Sequence, residues 1–406
     1  ASLVLEHNYQ QAQALSLMEL SAASKLGEFA NFMHYLESET LLDRKVEFLP
    51  DDEEIAERKE KGRGLTRPEL AVVSCYAKIN LTKAIMKTKL PDQKATQDWL
   101  ISYFPQPLQK KYGKAILQHR LKRAIFSTIL ASTVVNRMGP TFVDQLCRED
   151  NYSLETVLNS FLVVYDIFDL GDIWDKIEAQ DGKMPAMAQL KALEETKAMT
   201  ERIMMWFLGS LSRTISPEKD IEFFSKGVKK LKATLKDVLP ETRQSQINQI
   251  TEMNEANGFP RELAHELALL GPMSAACDIV LISSKLKVTV EQAARAYYLA
   301  GEYYSFYWLR KQAKFMETTT PWELQALERL RDQLYRCQSE LAKKLLKKAG
   351  PKAGELSEEN IRQHYSAEEI SLSQHALETI NELKSEGTVT LPMLVVAVTT
   401  LKNLYD

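Results

Sequence analysis

His119, Arg120 and Arg123 fall within about a turn and a half of a helical pattern, so their side chains project in overlapping directions. Guanidinium groups this close, beside apolar neighbours such as Ile116, Leu121 and Ile125, need anionic or carbonyl partners wherever they are buried. Two chemistries would satisfy them. One is a polar network within the fold, and the other is a phosphate or carboxylate ligand gripped by the arginine forks. The network is the favoured reading.

Other residues invite sharper chemistry, and each has a plainer explanation. Binding a nicotinamide nucleotide needs a glycine turn between a strand and a helix. Gly62-Arg63-Gly64 follows a charged stretch, so it reads as a flexible lead into a helix. The six histidines show no His-Glu-x-x-His arrangement; His364 and His375, eleven apart, share only a rough helix face. Asp51-Asp52-Glu53-Glu54 could hold magnesium, as in all-α prenyl-transfer enzymes, given a facing acidic cluster and an apolar cavity. It lies instead between Pro50 and the run Arg58-Lys59-Glu60-Lys61, as a solvated acidic linker does. The aromatic group Tyr297, Tyr298, Tyr303, Tyr304, Phe306, Tyr307 and Trp308 lacks the interleaved basic charge that base stacking needs. A helix packed into a core or against another domain explains it better. No catalytic, cofactor-binding or metal-binding residue is assigned in this chain.

The elements that would position these residues are helices. Leu3 to Leu42 carries apolar residues at helical spacing, including Leu5, Tyr9, Ala12, Leu15, Met18, Ala22, Leu26 and Phe29. Thr66 and Glu69 form a capping box with Pro68 in the first turn, which starts a helix running to about Thr88. A short helix carries Trp99 and Leu100. A long one is predicted from about Pro107 to Met138, closed by Arg137 in the last turn, Gly139 at the left-handed cap and Pro140 beyond. Further helices are predicted at about 154–168, 185–211, 217–237, 241–256, 260–270, 273–285 and 289–315. Thr320-Pro321-Trp322-Glu323 is a second capping box, opening a helix to about Lys348, and helices resume near Ser357 and end at Leu404. Strand-like alternation is confined to the residues around Val389 and Leu391. The predicted fold class is all-α, a bundle-like assembly of many helices without a fixed-period repeat.

Composition narrows the function. The 406 residues are 45% hydrophobic, enough for a large core, and the 15 glycines and 14 prolines are too few for a loop-rich all-β protein. A net charge of −3 makes no electrostatic case for nucleic acid or an anionic membrane as partner. Cys75, Cys147, Cys277 and Cys337 lie far apart and read as reduced thiols in a cytoplasmic protein. The longest apolar run, Leu391 to Leu401, contains Pro392 and falls short of the roughly 18–20 residues a membrane span needs. The chain begins Ala1-Ser2 inside an amphipathic pattern, as an excised piece would.

Taken in order, Gly62 to Ala71, His119 to Arg123 and Asn136 to Val143 resemble the C-terminal region of the large bacterial NAD-specific glutamate dehydrogenases. The likeness is densest from Gly64 to Trp174, and includes Tyr103-Phe104-Pro105. It continues more weakly through Leu263 to Val280, Tyr297 to Trp308 and Leu401 to Leu404, and is poor in Glu358 to Ser366. It implies a cytoplasmic, homo-oligomeric enzyme that oxidises L-glutamate to 2-oxoglutarate and ammonia with NAD. The hydride-transfer domain of that family lies upstream, so the resemblance implies a scaffold or regulatory region, inactive alone, with the catalytic domain of the same chain as partner. The expected structural polar network comprises Arg67, Glu69, His119, Arg120, Arg123, Asn136, Arg137 and Asp144, with Arg123 buried one turn after His119 on the long apolar helix and Glu69 or Asp144 as its acidic partner. The expected organisation is 1–61 as N-terminal helices and a charged linker, 62–258 as the subdomain with the signature blocks, and 259–406 as a C-terminal helical subdomain. A stand-alone module that binds a protein or peptide is the alternative.

Overall fold

Capping residues start several of the helices, and periodic apolar faces hold them together. The computed structural model describes residues 2–210, 213–318 and 320–405. Helices account for 78% of the chain, and no strand forms among the described residues. The all-α reading therefore stands, and around Val389 the chain only leads into a helix that starts at Leu391. The expected helix end at Leu211 lies outside the described residues, as do the side chains of Leu3, Leu5 and His7.

The chain divides into two compact units. The first, Ala1–Glu222 with Ala256–Leu263, begins with α1 (Ser2–Ser21), α2 (Leu26–Ser38), α3 (Asp52–Glu60) and α4 (Arg67–Lys87). It continues through α5 (Gln97–Ser102), α6 (Gln106–Leu117), α7 (Lys122–Met138), α8 (Phe142–Arg148), α9 (Leu154–Ile167), α10 (Leu170–Glu178) and α11 (Ala186–Ser210). The pairing of α4 with α7 is its most extensive. It buries Leu70, Val73, Ala77, Leu81 and Ile85 from one helix and Phe126, Leu130, Val134 and Met138 from the other. Each of these side chains larger than alanine contributes about 1.5–3 kcal/mol when fully buried. Helix α1 crosses α4, α7 and α11, and α9 packs on α11.

Two local expectations fail here. The predicted long helix from Pro107 to Met138 is two helices, α6 and α7, separated by a turn through Gln118–Leu121 in which His119 Nδ1 accepts the Leu121 N–H at 3.1 Å. The apolar spacing runs through the break; α6 packs on α5, whereas α7 packs mainly on α4 and only secondarily on α5, so the two halves follow different main partners. The acidic stretch is also no linker. Asp51 N-caps α3 by accepting the Glu54 N–H at 2.9 Å, and carboxylates in the first turn suit the positive helix start.

The second unit, Phe223–Glu255 with Ala264–Asp406, takes in most of α12 (Pro217–Val238) and α13 (Glu241–Ala256) and the end of α14 (Arg261–Ala268). After α15 (Leu270–Met273) come α16 (Ala276–Leu286), α17 (Val290–Tyr303), α18 (Phe306–Phe315), α19 (Pro321–Ala349), α20 (Ala367–Ser385) and α21 (Leu391–Lys402). Helix α19 is the axis of this unit, with α16, α17, α18 and α21 packed on it. Ala293, Ala294, Ala296, Ala300 and Gly301 give α17 a low surface. At Gly301 a Cβ would stand 2.4 Å from Gln338 Nε2, so any larger residue would have to displace the Gln338 side chain from its place on α17. Gln338 in turn donates to the Tyr297 carbonyl at 2.8 Å. The expected helix 289–315 breaks at Ser305, whose φ of 54° is left-handed. The helix expected from Ser357 begins only at Ala367, after a short turn at Ile361–His364.

Candidate functional site

The most site-like geometry surrounds the end of α7. Gly139 has φ 99° and ψ 162°, a region essentially closed to residues with a Cβ, and its N–H still closes the helix on the Val135 carbonyl at 3.0 Å. Pro140 and Thr141 then turn the chain into α8. A cavity of about 40 Å³ opens at this turn between α1, the start of α2, and α11. Its lining includes Lys25, Asn136, Arg137, Gly139, Thr141 and Lys197.

The polar groups around it are unevenly satisfied. Arg137 is committed: its Nη1 lies 2.6 Å from Glu178 Oε1, both side chains are 9% exposed, and the guanidinium sits 4.7 Å above the Trp174 ring. Lys25 pairs with Glu28 at 3.1 Å, and Thr141 Oγ1 donates to the same carboxylate at 3.4 Å. Asn136 and Lys197 differ. The Asn136 side-chain oxygen is buried without a donor. Lys197 on α11 is half-buried, with Nζ 3.7 Å from where a Cβ on Gly139 would stand, and it makes no hydrogen bond or ion pair among the described residues. Burial, then the Lys25 ammonium, draws its pKa below the ordinary lysine value, against the weaker pull of Glu201, Glu28 and Glu194.

The eight residues expected to form one network are instead dispersed over several local arrangements. Glu69 accepts the Thr66 N–H at 2.6 Å, as the capping box requires, but its ionic partner is Arg58, bound in a fork at 2.7 and 2.8 Å. Burial pushes the Glu69 carboxyl up, and the hydrogen bonds from Arg58 and Thr66 outweigh it, leaving the pKa below the usual carboxylate value. Arg58 also reaches Glu54 at 2.5 Å. Asp144 pairs with Arg148 one turn along α8, at 2.6 Å through Nε. Arg67 on α4 holds α1, donating to Ser16 at 3.2 Å and the Ala12 carbonyl at 3.1 Å and pairing with Glu19. His119 and Arg120 are exposed at the turn between α6 and α7.

Arg123 is not buried, and its acidic partner is neither Glu69 nor Asp144. Its side chain is 38% exposed and pairs with Asp92. Its other amino group donates to the Met86 and Thr88 carbonyls at 2.7 and 2.9 Å. Those carbonyls end α4, where a cation meets the negative helix terminus. The half-turn between α6 and α7 explains the difference, because it carries the start of α7 to the end of α4 rather than into the core.

The two glycines ahead of α4 also have assigned tasks. Gly62 takes φ 63° to end α3, and a Cβ on Gly64 would stand 2.3 Å from the Ala22 backbone. The Gly-x-Gly therefore lets two backbones touch. Residues 62–403 match the family described as glutamate dehydrogenase, C-terminal. The chain belongs to that family. Its relatives include the NAD-specific glutamate dehydrogenases of Pseudomonas aeruginosa, 34% identical over 82% of this chain, and of Halomonas elongata, 29% identical over its whole length. That of Mycobacterium tuberculosis is 26% identical, again over the whole chain. The chain spans only 21% of the first of these proteins and 25% of the other two. Asn136 to Thr141, which line the cavity, lie within the matched residues.

Lys197, Lys25, Arg58, Glu178 and Asp92 were not singled out from sequence. Arg58 left one clue, its spacing of four from Glu54 on a charged helix; Lys197 left none, being one of two lysines on α11. Among the aromatics, Tyr297, Tyr298, Tyr304 and Phe306 are buried in the second unit, and Arg243 stacks on Tyr307 with its guanidinium 3.4 Å from the ring centroid.

Proposed function

We propose that this chain is the C-terminal helical region of an NAD-dependent glutamate dehydrogenase, a scaffold or regulatory part that carries no hydride-transfer chemistry of its own. The parent enzyme oxidises L-glutamate to 2-oxoglutarate and ammonia with NAD, in the cytoplasm and as a homo-oligomer, and the catalytic domain of the same longer chain is the partner. Family membership over residues 62–403 supports the parent activity. One observation carries the non-catalytic reading: Gly64 of the Gly-x-Gly is packed against the Ala22 backbone, which leaves no room there for a pyrophosphate.

Calorimetric titration of NAD and of L-glutamate into the chain tests this. No saturable heat is expected from either. Micromolar affinity for NAD would overturn the assignment of the active site to another part of the enzyme.

A further inference from the structure

We infer that the cavity at the Gly139 turn is a binding site for a compact oxyanion, a carboxylate group or inorganic phosphate, held by the Lys197 ammonium and the Asn136 amide. This goes beyond the proposed function and does not depend on it.

Arg137 and Lys25 face the cavity but have carboxylate partners, Glu178 and Glu28. Lys197 has none among the described residues, although it is half-buried and shares the cavity with a second ammonium. Removing a cation from water without a counter-charge is costly, and buried charges are as a rule paired. The structure nevertheless directs this one to a void rather than to a carboxylate. Glu201, Glu28 and Glu194 lower the cost only through space.

Shape and polarity agree with a small guest. A cavity of about 40 Å³ has room for two or three waters, or for the oxygens of one carboxylate or phosphate group. The glycine at position 139 leaves the Lys197 ammonium close to the backbone, so the guest would meet Lys197 on one side. Asn136 stands at the same wall with its side-chain oxygen lacking a donor. The amide N–H₂ of that side chain suits an anionic oxygen. A bound anion would relieve Lys197 and raise its pKa.

The test is the acylation rate of Lys197 in the wild-type chain, followed by peptide mass spectrometry with an N-hydroxysuccinimide acetate reagent. Phosphate or acetate is raised stepwise against chloride at constant ionic strength, and exposed Lys110 serves as reference. Saturable slowing confined to Lys197 is expected, roughly tenfold if the anion raises its pKa by one unit. Slowing by phosphate alone assigns a phosphate site, and slowing by acetate alone assigns a carboxylate site. No slowing, slowing shared by Lys110, or slowing that never saturates would overturn the proposal. In a second measurement, the anion should raise the melting temperature of the wild type and not of Lys197→Met. An equal rise in both would also overturn it.

Discussion

At the scale of single residues, the arginines of the signature blocks illustrate how position decides the value of a charge. Arg58 and Glu69 form a forked pair with side chains 16% and 12% exposed, whereas Arg123 works at a helix end in partial contact with solvent. Arg58→Met should cost about 2–3 kcal/mol in urea unfolding, less than a fully buried pair because water still reaches Glu54 and the fork's rim. Arg123→Met should cost only about 1 kcal/mol, the scale of a helix C-terminal cation with carbonyl bonds. A larger loss at Arg123 than at Arg58 would contradict this ordering. Asp166 offers a pH test of opposite sign. Burial first, then Asp98 and Asp169, raises its pKa from 3.8 to about 6. A raised carboxyl pKa means the native state holds the proton more tightly, so its contribution is full below pH 3.8 and is lost as pH rises through about 6. Asp166→Asn should therefore stabilise the chain increasingly across that window, with the gain level above it, read from melting temperature against pH.

At the scale of elements, helix ends carry the specificity. Ser366 caps α20 in a box with Glu369, and the same carboxylate receives Lys344 and Lys348 from α19, each at 2.9 Å. The Ser366 N–H above all, then the two lysines, hold Glu369 to about 2 against the opposing effect of burial. The sign is the usual carboxylate one: its contribution is present above pH 4.5 and is lost as pH falls from there toward about 2. Glu369→Gln should flatten the acid side of the stability profile between those limits and lower stability at neutral pH. An unchanged acid limb would show that α19 and α20 are joined by packing alone. Gly139 makes the complementary case. A Cβ there meets only the end of Lys197 at an ordinary 3.7 Å, so the cost of Gly139→Ala is conformational, about 1–3 kcal/mol for φ 99°. Chemical denaturation of that variant should show the loss without any change in helix content.

At the scale of the whole molecule, the expected far-ultraviolet circular dichroism is helical throughout. A strand content above about a tenth, against the 20–25% of an ordinary globular protein, would contradict the all-α architecture. Large apolar groups remain on the surface of each unit, including Phe48 in the first and Trp322 in the second. Phe48 also has a left-handed φ of 54°, a conformation a bulky residue rarely adopts.

Much of the helix placement was legible in the amino-acid sequence, because caps and periodic apolar faces are local signals. Thr66 with Glu69, Thr320 with Glu323 and the Gly139-Pro140 stop are all legible without a fold, and all three are present as read. So was the family likeness of the blocks around them. Tertiary structure decided where the periodicity breaks and which charges meet. Helical spacing from Pro107 to Met138 is uninterrupted, yet α6 follows α5 while α7 lies mainly along α4. Arg123 reaches Asp92 thirty-one residues away, Arg137 reaches Glu178, and Lys197 comes to face Gly139 across a cavity. Such pairings depend on the directions of whole helices, and those are set by the summed burial of many side chains rather than by any residue's neighbours in the chain.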